Sequence, residues 1–125
     1  MSSILAELAT IMDELDIPVE TGVFSGKAPD EYVVLTPLGD SFELFADNLP
    51  QYETQEARIS LFSKKNYLRR KQNIVNAVLD HDLTVTNRRY IDHDDQNGYH
   101  FYVIDVAKNY EHMEAIQSNG NSGFR

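Results

Sequence analysis

Gln55-Glu-Ala-Arg-Ile-Ser-Leu-Phe-Ser-Lys-Lys-Asn-Tyr-Leu-Arg-Arg-Lys-Gln-Asn-Ile-Val-Asn-Ala-Val-Leu79 changes its hydrophobic period halfway along. Up to Phe62 the apolar residues alternate. Ala57, Ile59 and Leu61 point one way and Glu56, Arg58 and Ser60 the other, as in a half-buried strand. From Tyr67 the spacing is helical. Tyr67, Ile74, Val75, Val78 and Leu79 gather near one face, with Arg69, Arg70, Gln72, Asn73 and Asn76 turned away. A strand therefore feeds a basic amphipathic helix whose apolar side must be covered.

Upstream, Ser2 or Ser3 can cap a first helix in which Ile4, Leu8, Ile11, Met12 and Leu15 share a stripe. Pro18 biases Ile17 out of helical geometry and is expected to end it near Asp16. Val19 to Phe24 is expected as a short strand, and Ser25 to Asp30 as a loop. Glu31 to Thr36, the turn-like Pro37-Leu-Gly-Asp40 and Ser41 to Asp47 read as a hairpin.

Downstream, Leu83 to Ile91 and Tyr99 to Ala107 form a second hairpin around the loop Asp92 to Gly98. Tyr102, Ile104 and Val106 on one side of the last strand, and Tyr99, Phe101 and Val103 on the other, make it apolar on both faces. It is expected either in the sheet interior or with its second face at an assembly surface. The expected fold is α+β: a mainly antiparallel sheet of five to six strands with two helices packed on it, in the order α-β-β-β-β-α-β-β. Residues 1–110 are expected to form one domain, and 111–125 a flexible tail ending in Ser118 to Arg125.

The 125 residues contain no cysteine, which removes disulfide and thiolate chemistry. No run of about 20 apolar residues suggests a membrane span, and the N-terminus lacks a basic, signal-like start. Charge is unevenly divided. Eight of the 11 basic residues lie between positions 58 and 89 with only Asp80 and Asp82 as acids, so that segment carries +6 and the remainder −15. Oppositely charged regions on different faces suit a head-to-tail contact between copies. An acidic chain whose basic segment has few interleaved aromatics is a poor specific binder of nucleic acid.

Chemistry finds little purchase. Read as a calcium loop, Asp92-His-Asp-Asp95 puts Asn97 where the turn glycine belongs and Val103 where the bidentate glutamate belongs, so it reads as a solvated hairpin loop. His81, His100 and His112 lack partners at zinc-ligand spacing. There is neither a phosphate-binding glycine loop nor a nucleophile elbow. No catalytic residue, cofactor or metal is expected.

Val19 to Phe24, Ala28 to Asp40, Tyr52 to Lys64, Arg88 to Ile91 and Gly98 to Val106 together resemble the small tail terminator, or tail completion, proteins of long-tailed phages and prophages of Gram-positive bacteria. The likeness runs in order through most of positions 1–110 and is a pattern of segments, with no catalytic signature. It implies an α+β subunit that assembles as a ring, usually of six, at the head-proximal end of the tail tube, in the virion. There the ring would stop polymerisation and meet the head-tail connector, with DNA passing through it. A head-side stopper of the same junction is the alternative, and a small-molecule module using the last hairpin as a pocket wall is a third reading. For the ring contact, charge segregation nominates Lys64, Lys65, Arg69 and Arg70, with Arg88 and Arg89, against Asp92, Asp94 and Asp95 of a neighbour.

Overall fold

The computed structural model describes residues 3–20, 28–44 and 50–111, with side chains omitted at 41–44, 50, 51 and 111. Expectations for Thr21 to Phe24, Ser25 to Lys27, His112 and the tail beyond Glu111 lie outside the described residues. Seven elements follow in order: α1 (Ile4–Glu14), β1 (Val19–Glu20), β2 (Glu31–Leu44), β3 (Pro50–Ser63), α2 (Tyr67–Asp80), β4 (Thr84–His93) and β5 (His100–Glu111). The five strands make one sheet in the order β1-β2-β3-β5-β4. β1 runs parallel to β2 and every other pairing is antiparallel. The protein is thus α+β, with the last strand interior, as its two apolar faces imply.

The quoted stretch behaves as its period dictates. Ala57, Ile59 and Leu61 are fully buried, beside Val33 and Leu35 of β2 and Tyr102, Ile104 and Val106 of β5. Both helices close over this face. α1 contributes Ile4, Leu8, Ile11 and Met12, and α2 contributes Ile74, Val75 and Val78. Leu79, expected near the buried stripe, is instead 51% exposed, because Val75 and Val78 already fill the contact.

Two corrections concern turns. Pro37-Leu-Gly-Asp40 is not a hairpin turn, since β2 runs straight through it to Leu44 and absorbs the extra residue as a bulge between Pro37 and Gly39. Proline lacks an N–H and is tolerated because β1 pairs only with Val33 and Val34, leaving the outer side of Pro37 without a described strand. Gly39 takes φ +144°, which a side chain would resist. Three described strands therefore precede α2, where the expected order has four, and the five-stranded sheet lies within the expected five to six. At the other hairpin, β4 extends through Asp92 and His93, residues expected in the loop, and β5 continues to Glu111, one residue past the expected domain end.

Ser3 Oγ accepts from the Ala6 N–H and Asn66 Oδ1 from the Arg69 N–H, capping the two helix starts. The helix ends share one device. Asp16 (φ 59°) and Asp82 (φ 64°) adopt left-handed conformations. After α1, Ile17 N–H donates to Met12 O and Asp16 N–H to Asp13 O. After α2, Leu83 N–H donates to Val78 O and Asp82 N–H to Leu79 O. These are Schellman closures, with Ile17 and Leu83 buried behind them. Aspartate pays a Cβ penalty there and places a negative charge at the wrong end of the helix dipole. Asp82→Gly is therefore expected to stabilise the fold by about 0.5–1 kcal/mol in urea unfolding. A loss of stability would mean that the Asp82 side chain has a role the closure does not explain.

Candidate assembly interface

With both helices on one side, alternation sends Tyr32, Val34, Phe62, Ser60, Phe101, Val103, Arg58 and Asp105 to the other. Among the described residues no helix covers this open face, although Ser60, Val103 and Asp105 in its middle are buried and Tyr32, Phe62 and Phe101 are half-buried. At its end near the β4–β5 turn, Tyr32, Phe62 and Phe101 form a stacked row across three strands. Ring centroids are 5.0 Å apart for Tyr32–Phe62 and 4.5 Å for Phe62–Phe101, with interplanar angles of 15° and 13°. Tyr99 stands edge-on to Tyr32 and Phe62, and its hydroxyl donates to Pro29 O. The register makes this row: Tyr32 pairs with Phe62, and Phe62 with Phe101.

These rings floor an open cavity of about 800 Å³ rimmed by Asp92, Asp94, Asp95 and Lys64. Lys64 Nζ lies 4.8 Å from the centre of the Tyr99 ring. Asp94 organises the turn. Its carboxylate accepts from the Gln96 and Asn97 N–H groups and from Asn97 Nδ2, bonds to Asn97 that hold its pKa below the usual range. Asp95 Oδ1 lies 2.8 Å from His93 Nδ1, within hydrogen-bonding distance, and the Asp95 side chain is otherwise open to water.

Farther along the same face, Arg58 forks onto Asp105 at 2.7 and 3.0 Å, with Asn87 Nδ2 donating at 3.4 Å. Asp105 is only 7% exposed. The Arg58 hydrogen bonds lower its pKa, burial opposes them, and Asn87 with the Arg58 and Arg89 charges adds to the lowering. On the helix side, Glu7 ties α1 to β5 by accepting from Lys108 Nζ (2.8 Å) and the Tyr110 hydroxyl (2.7 Å). Burial would raise the Glu7 pKa, but those two bonds and the Lys108 and His81 charges leave it lowered.

A carboxylate with a depressed folded pKa stabilises the fold above its unfolded pKa, near 4, and loses that contribution as the pH falls through the folded value. Asp105→Asn is accordingly expected to cost about 1–2 kcal/mol at neutral pH, the scale of a hydrogen bond to a charged group. That deficit should close as the pH falls below about 4. A deficit that is unchanged at acid pH would show that packing, and not the ion pair, is responsible.

The nominated residues fall into three groups. Lys64 shares the open-face cavity with Asp92, Asp94 and Asp95, so this basic residue and the acids lie on one side of the molecule. Lys65, Arg69 and Arg70 surround the start of α2, where Arg70 Nε donates to Glu31 at 2.8 Å. Arg88 and Arg89 lie exposed on β4, the edge strand, where charge discourages unplanned strand pairing. No family model matches the chain, and no curated protein matches it. Tyr32, Phe62 and the stacked row were missed as a unit. Alternation along β5 signalled Phe101 and Tyr99, but the partners come from strands far away in sequence.

Chemically the open face offers ring faces and exposed carboxylates. That equipment suits binding a cationic, partly apolar surface better than proton transfer, which calls for desolvated titratable groups. Among the described residues no three His, Asp or Glu side chains are placed to hold a metal ion.

Proposed function

We propose that this protein is a structural subunit that closes into a ring on the head-proximal end of a phage tail tube, stops its growth and presents the surface that joins the filled head. The observation that carries this reading is the open, aromatic sheet face beside a separately charged helix edge. A ring subunit needs two unlike patches, each meeting the other on a neighbour. The segmental resemblance to tail terminators supplies the identity of the tube and of the connector as partners. On this reading the protein is not an enzyme and carries no cofactor.

The test is to add purified, gold-labelled protein to purified tail tubes and to view them by electron microscopy. Label at one tube end only, with growth from added tube subunits arrested, is the expected result. Label on the connector of filled heads and never on tubes would assign the protein to the head-side stopper. Label on neither would remove it from the junction.

A further inference from the structure

Resting on the ring reading above, we propose that the open-face cavity receives the Arg69 side chain of a second copy, and that this contact repeats around the ring.

The start of α2 breaks a local rule. Its first turn has no acid, although a helix start favours negative charge, and Arg69, Arg70 and Lys71 crowd there after Lys64 and Lys65. Three of these cations have intramolecular neighbours: Lys64 lies over Tyr99, Arg70 bonds Glu31, and Lys71 lies 5.3 Å from the Tyr102 ring centre. Lys65 and Arg69 are exposed and have no carboxylate partner among the described residues. Positive charge retained where it costs helix stability points to a contact outside the subunit.

The cavity is complementary. Guanidinium stacks on aromatic faces and binds carboxylates with two parallel N–H bonds, so one arginine can use floor and rim together. Asp92 pairs across the strands with Phe101, which sets a carboxylate beside the stacked row, and Asp95 is 94% exposed. The cavity volume of about 800 Å³ is ample for such a side chain.

Placement fits a closing head-to-tail contact. Ser63 pairs with Glu31 and His100, and His100 with His93, so these four residues mark one end of the sheet. The chain enters α2 just past Ser63 on the helix side, and the cavity lies at the same end on the open side. A contact from one face of a subunit to the opposite face of the next, repeated at one level, generates a ring when its rotation closes.

The absence of native cysteine makes a direct test available. Asn73→Cys, one helical turn beyond Arg69, and isotopically heavy Gln96→Cys, beside Asp95 in the rim loop, keep Arg69 and the acids intact; the two proteins are mixed at high concentration, alone and with purified tail tubes, and joined by a short bis-maleimide. The 73–96 product is expected to exceed both same-site products about tenfold, and adding Asp92→Arg to the second protein should reduce it about tenfold. Same-site products of equal or greater yield, or indifference to Asp92→Arg, would overturn the contact. Wild-type rings seen by native mass spectrometry or on tubes, without a 73–96 product, would overturn it while sparing the ring. The lack of both rings and product under either condition would overturn the two together.

Discussion

Ile59→Ala is expected to lower unfolding free energy by about 3–4 kcal/mol. That is a large part of the roughly 5–15 kcal/mol available to a domain, and it corresponds to a melting point about 11–15 °C lower. Ile59 is fully buried and pairs with Leu35 on one side and Ile104 on the other, both also buried. β3 is hydrogen-bonded on both sides, to β2 and to β5, so its backbone cannot close in on a vacancy, while the helix residues above are held by their own packing. The cavity term is therefore added to the lost transfer free energy. Leu68→Ala on α2, at a residue 56% exposed, supplies the contrast and should change stability by less than about 0.5 kcal/mol. Comparable losses at the two positions would contradict the placement of the core beneath the helices.

Phe62→Ser should act on assembly far more than on folding. Phe62 is half-buried and lies in the middle of the stacked row, so the mutation takes away the floor of the open-face cavity. Lost stacking and partial burial amount to about 1–2 kcal/mol of stability. If the row is the centre of a subunit contact, it is a desolvated aromatic anchor of the kind whose loss costs about 2 kcal/mol or more, or some thirtyfold in affinity at each interface. A ring repeats that loss at every joint. Phages complemented with Phe62→Ser are expected to give few joined particles, whereas the purified variant still unfolds cooperatively within a few degrees of wild type. Normal joining would show that the open face serves something other than assembly.

The sequence-to-structure relation differs from element to element. The strand-to-helix switch at Ser63–Tyr67 and the stripe of α1 were legible because periodicity is a local property that burial enforces. The Schellman ends at Asp16 and Asp82 were not, since the usual signal is glycine and aspartate enters the left-handed region only when the closure requires it. Pro37-Leu-Gly-Asp40 has turn composition, yet a long-range pairing with Ala57 and Glu56 keeps it within a strand. The candidate site shows the same limit. The residues Lys64, Arg69, Asp92 and Asp95 stand out by charge. However, the Tyr32–Phe62–Phe101 row and the Arg58–Asp105 pair depend on register between strands dozens of residues apart, which no local pattern encodes.

The central claim is tested most directly by negative-stain microscopy of an induced lysate whose phage lacks this gene. Tail tubes of abnormal and variable length beside filled, tailless heads are the predicted result, since on the proposed function both length arrest and joining would depend on the same ring. Tails of normal length attached to heads, in infectious particles, would contradict it.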